Sequence, residues 1–120
     1  MKNFIVKQVK IPEAEKEFPN EFGWSGAEER SPAWKAKLEG MHFRQNDEFN
    51  VENLPHFKDC FSVQAENLDQ VFRITNLWDD MDSVQRIGEG GHSTSVGDII
   101  VDTETGKSHM VCGFGFKEVA

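Results

Sequence analysis

The sequence predicts an α+β fold, a single domain over residues 1–120 in which an antiparallel sheet with a C-terminal β-hairpin packs against two or three helices. Three features predict it. Apolar runs bounded by turn residues, NFIVKQVKI and DIIVDT, lie towards the two ends of the chain. Two helix starts, Ser31-Pro32 and Asn67-Leu68-Asp69, stand between them. Glu104-Thr105-Gly106 then joins two apolar runs by a connection of hairpin length. A chain of 120 residues suits one core rather than two, and no repeat or linker divides it.

Each element follows from local signals. Residues 3–11 alternate as a strand, with Ile5, Lys7, Val9 and Ile11 on one face and Phe4 and Val6 on the other. Pro12 has no amide hydrogen for a ladder and ends it. The acid-rich stretch EAEKEFPNEFGWSGAEER suits a short helix over 13–18 broken at Pro19, with Gly23 and Gly26 in a loop. Trp24, between those glycines, reads as a plug that tucks the loop onto the core, with ligand stacking as the alternative. Ser31 caps a helix that Pro32 begins, Trp34 and Leu38 share one of its faces, and Gly40 is the expected stop. Residues 41–56 lack a clean period and are expected as a short strand or extended piece and then a loop.

FKDCFSVQAE, residues 57–66, is a strand candidate. Asn67 caps the next helix, Asp69 suits its positive end, and Leu68, Val71 and Phe72 line one side. Asp79, Asp80 and Asp82 make an acidic turn, and VQRIG (84–88) a short strand or extended link. DIIVDT and KSHMVCGF form the hairpin and FGFKEV a last strand, with Phe114 and Phe116 expected in the core.

Composition narrows function. With 21 acidic against 13 basic residues the net charge is −8 and no basic block exists, so general nucleic-acid binding is disfavoured. Acidity fits solubility, a basic protein partner or mimicry of a nucleic acid. The only uninterrupted apolar run near the N-terminus, Phe4-Ile5-Val6, is too short for a signal-peptide core or a membrane span, so a cytoplasmic protein is expected. Cys60 and Cys112 lie in separate apolar neighbourhoods and read as buried free thiols.

The segment HSTSVGD holds the densest chemistry. His92, Ser93, Ser95 and Asp98 have the residue types of a hydrolase triad, but neighbours in extended chain seldom converge as a triad must, and there is no GxSxG elbow. The same residues suit a loop entering a strand, with Val96 buried, Gly97 allowing a tight turn and Asp98 accepting backbone amides; a nest of amides for an anion is the alternative. His42, His56, His92 and His109 are scattered without HxxxH, HExxH or CxxC spacing, so no metal or cofactor is implied. CGFGFKEV is like the base-stacking strand of RNA-recognition motifs, but Cys112 and Lys117 depart from that pattern, and the acidic charge disfavours phosphates.

Leu68, Val71 and Phe72, then Ser93 to Asp98, an apolar strand and Gly115-Phe116 form an ordered set over residues 66–119. That set resembles small uncharacterised proteins of tailed bacteriophages, including phages of cyanobacteria, and the YodL-like domain of conjugative plasmids and other mobile elements. The resemblance implies a phage accessory protein made in the host cytoplasm, and no catalytic residue comes with it. The expected function is therefore non-enzymatic binding of a host or phage protein, with the acidic 13–29 segment and Trp24 as its contact surface. The alternatives are a small ligand-binding or enzymatic domain that uses the His92–Asp98 loop, and an acidic DNA mimic. Trp24, His92, Ser93, Ser95 and Asp98 are the candidate binding residues.

Overall fold

A computed structural model describes residues 1–120. Six strands form one antiparallel sheet: β1 (Lys2–Val9), β2 (Phe57–Ala65), β3 (Val84–Arg86), β4 (Ile99–Asp102), β5 (Ser108–Val111) and β6 (Phe116–Glu118), in the order β3-β2-β1-β4-β5-β6. β1 is central, paired with β2 on one side and β4 on the other. Its neighbours come from distant parts of the chain, so the first strand cannot be paired until residues 57–102 have arrived. β4 and β5 form the expected hairpin, Ile99 opposite Met110, and β6 extends it.

Both faces of the sheet are covered, which explains why β1 is apolar at odd and even positions alike. Phe4, Val6, Val63, Ala65 and Ile100 turn to α3 (Leu68–Leu77), which contributes Val71 and Ile74. Burying each of those two helix residues stabilises the fold by about 1.5–3 kcal/mol. On the opposite face Val9, Ile99 and Met110 meet Ala33 and Ala36 of α2 (Pro32–Met41), with Phe43 and Phe57 beside them. The caps are as the sequence indicates. The Ser31 hydroxyl accepts from the Trp34 amide at 3.1 Å, and the Asn67 side chain from the Gln70 amide at 2.9 Å. Cys60 and Cys112 are buried free thiols in different cores, and burial pushes both above the ordinary thiol value. No helix is long and apolar enough to cross a membrane.

Several local expectations fail, each for a physical reason. Residues 13–15 make only a 3-10 turn, and Pro19 opens α1 (Phe18–Arg30) instead of ending a helix, because a first-turn amide has no intrahelical acceptor to lose. The expected loop at Gly23 and Gly26 is helical, with a kink at Gly23, where φ is +72°. Trp24 is no plug: it is 62% exposed and meets Trp34 edge-on, ring centroids 5.9 Å apart. Residues 41–56 hold no strand; a turn leads to the 3-10 segment Val51–His56. Phe114, expected in the core, is 92% exposed at the turn before β6, whereas Phe116 packs against the α3-side core. Gly115 there has φ +69°, so the chain reverses between the two and presents them to different surroundings.

Candidate functional site

β1 and β2 are out of step between Val6 and Lys7: Val6 faces Phe61 and Lys7 faces Asp59, which leaves Cys60 as the extra residue of a bulge. The Cys60 carbonyl then accepts the Ile87 amide at 2.9 Å and starts a loop, residues 87–98, across the end of the sheet. Further along, Thr94 and Thr75 join hydroxyl to hydroxyl at 2.6 Å. Thr75 donates to the Val71 carbonyl, so Thr94 is the donor in that pair. Asn76 binds the Thr94 carbonyl at 2.9 Å, and the Trp78 indole donates to the Ser93 hydroxyl at 3.1 Å. The C-terminal end of α3 thus clamps the loop.

Gln8 organises the loop from beneath. It shares the inward parity of Phe4 and Val6 and is 1% exposed. Its amide donates to the His92 carbonyl at 2.8 Å and to Asp98 Oδ2 at 3.0 Å, while its oxygen accepts the His92 amide at 3.1 Å. Gly91 allows this approach, since a Cβ there would stand 2.0 Å from Gln8 Oε1. Both Gln8 amide hydrogens are then engaged. The Ser93 carbonyl, 2.7 Å from His92 Nδ1, can only accept, so that nitrogen carries the proton and a neutral ring keeps its lone pair on Nε2.

Asp98 ends the loop and precedes β4. Its Oδ2 accepts the Ser95 amide at 2.9 Å as well as Gln8, and the Asp98 amide returns to the Ser95 carbonyl at 3.0 Å. Its Oδ1 accepts nothing from the chain. The residue is 7% exposed, and burial pushes its carboxyl above the ordinary value. The Ser95 amide, His92, Gln8 and Lys37 pull in the opposite direction.

The other wall is α2. Gly40 and Gly97 touch backbone to backbone: a Cβ added at Gly97, where φ is +94°, would lie 2.5 Å from the Gly40 carbonyl carbon. Gly40 is therefore not the helix stop that its position suggests, since α2 continues to Met41. The contact brings Lys37 and Met41 alongside the loop and closes a cavity of about 360 Å³, lined by both, by Val9 and by His92 and residues 95–98. That volume lies at the lower end of the roughly 300–1,000 Å³ of small-molecule sites. Lys37 forms no ion pair within the chain.

No protein-family model, curated protein or solved structure matches this chain. The chemistry of the cleft rests on its own atoms. Of the five candidate residues, His92, Ser95 and Asp98 line it together. Ser93 turns away to hold Trp78, and Trp24 stands apart on α1. Val96, expected to be buried, is partly exposed and forms an apolar wall. Sequence reasoning missed Gln8, Lys37, Val9 and Met41. Gln8 carried a legible signal, a lone polar residue at an inward strand position. Lys37 carried none, because a lysine on a helix is ordinarily a solvated charge.

Proposed function

We propose that this chain is a small-ligand-binding protein whose receptor site is the cleft between α2 and the 92–98 loop. One observation carries the reading: a buried carboxylate, Asp98, keeps an oxygen free of any partner beside an open cavity. That oxygen opens onto the cavity, since the one enclosed side-chain polar atom without a partner is His109 Nδ1. A ligand that donates to Asp98 Oδ1 exchanges water for a hydrogen bond to a charged group, worth about 1.5–3 kcal/mol. The groups to hold a ligand are Asp98 Oδ1, the Lys37 ammonium, the Ser95 hydroxyl and His92 Nε2, with Val9, Met41 and Val96 as apolar walls. The reading is of a receptor and not of an enzyme, because no nucleophile is hydrogen-bonded to a base: His92 Nδ1 is spent on Ser93, and neither ring nitrogen meets Ser95. The test is an NMR screen of small polar compounds on labelled protein, repeated on Val96→Trp, which fills the cleft. Compounds that shift the 92–98 amides of the wild type and not of the variant support it. Failure of every compound to move those amides sinks it.

A second reading keeps the binding of a host or phage protein, as suits a phage accessory product made in the host cytoplasm. Trp24 and Met41, 62% and 52% exposed, face a second concavity of about 390 Å³ beside Leu38 and Glu28. An exposed tryptophan and methionine beside the Glu28 carboxylate suit a partner with a basic, apolar surface. A protein captured from host lysate by the wild type and lost with Trp24→Ala supports this reading, and no capture at any salt counts against it. The DNA-mimic reading is weaker. Lys7–Asp59, Lys16–Glu13, Arg73–Asp79 and Lys107–Glu118 intersperse bases among the acids on several elements, unlike a one-faced row of carboxylates.

A further inference from the structure

The cleft holds two opposite charges that do not pair with each other. Asp98, with Oδ1 unpartnered, lines it from the loop and Lys37 lines it from α2, and no ion pair joins them. A purely cationic ligand meets Asp98 but is repelled by Lys37. A purely anionic one meets Lys37 but faces the Asp98 carboxylate. A molecule carrying an ammonium and a carboxylate a few bonds apart satisfies both, and it leaves the cleft with no uncompensated charge. The remaining walls, Val9, Met41 and Val96, are apolar and ask for a hydrocarbon group. The cavity of about 360 Å³ limits the ligand to a small molecule.

We infer that the ligand of this cleft is a free α-amino acid with an aliphatic side chain, its ammonium on Asp98 Oδ1 and its carboxylate on Lys37. The inference rests on the receptor reading above. Ser95 is placed to share the ammonium through its hydroxyl oxygen, and Val96 and Met41 flank the side chain. Gln8 does not touch the ligand. It is a positioning residue that, with the Ser95 amide, engages Oδ2 and leaves Oδ1 for the ligand.

The experiment titrates labelled protein with L-leucine, N-acetyl-L-leucine, L-leucinamide and isoamylamine, following the amides of residues 92–98. L-leucine is expected to shift Ser95, Val96 and Asp98, and each analogue that lacks one charge to bind about tenfold more weakly or worse. Asp98→Asn is expected to abolish the preference for leucine over N-acetyl-leucine, and Lys37→Met the preference for leucine over leucinamide. Retained amide dispersion in both variants separates lost binding from lost folding. The inference is overturned if isoamylamine binds as well as leucine, or if either variant keeps the wild-type preferences. If no amino acid binds but other compounds still shift the 92–98 amides, the amino-acid assignment falls and the receptor reading stands. If nothing shifts them, both fall.

Discussion

Substituting Gly97 by Ala tests whether the Gly40–Gly97 contact builds the cleft. Two penalties act at this position. A non-glycine residue at a left-handed φ costs about 1–2 kcal/mol. The new methyl also meets backbone that has no rotamer to change, at 2.5 Å from the Gly40 carbonyl carbon and 2.9 Å from the Met41 nitrogen, so α2 and the loop must separate. Overpacking of this kind costs about 1–3 kcal/mol. Loss of unfolded-state entropy offsets about 0.4–1 kcal/mol. The expected net loss is about 3 kcal/mol, a large part of the roughly 5–15 kcal/mol that holds a typical domain together. Gly106→Ala is the control: its φ of +73° carries the same backbone penalty, but nothing lies within 4 Å of the added methyl. It should lose about 1 kcal/mol. In urea, at a slope of about 1.5 kcal/mol/M, the two midpoints fall by about 2 M and under about 1 M. Equal losses would refute the reasoning, because the contact with Gly40 would then contribute nothing beyond the dihedral.

Three further outcomes follow from the same geometry. Gln8→Leu keeps the side-chain volume but strands the His92 amide and removes a donor from Asp98, so unfolding free energy should fall by about 2–4 kcal/mol and hydrogen exchange at His92 should accelerate. Asp98 has a folded-state pKa raised by burial, so its contribution to stability is fully present below the ordinary carboxylate value of 3.8 and is lost as pH rises through the folded value. Asp98→Asn escapes that loss, and its urea midpoint relative to wild type should climb from acidic to neutral pH; a constant difference across the range would contradict the burial argument. Phe114→Ser should change stability by no more than about 0.5 kcal/mol, since the ring lies in solvent, and a loss typical of a core phenylalanine would show that it packs somewhere.

Local signals were legible wherever a period or a cap decides the outcome. The alternation of β1, the Ser31 and Asn67 caps and the turn at 103–107 each depend on a few consecutive residues; the caps and the turn are found where the sequence puts them, and β1 ends at Val9, short of the expected Ile11. The misreadings fall where one residue type serves two purposes. Pro19 starts a helix as readily as it ends one, and Gly40 serves for a close approach as readily as for a cap. The alternating aromatics at 114 and 116 carry no mark of the turn that divides them.

The sequence by itself determined the α+β class, the hairpin, two of the three helix starts and the loop holding His92, Ser95 and Asp98, because backbone preference and apolar periodicity act over short range. Only the tertiary structure decided that this loop faces α2, that Gln8 anchors it and that Lys37 stands across from Asp98. Those relations depend on one backbone passing within contact of another at Gly40 and Gly97, and on a bulge at Cys60 that carries the loop over the sheet end. Packing of that kind is fixed by residues far apart in the chain, and no stretch of consecutive residues encodes it.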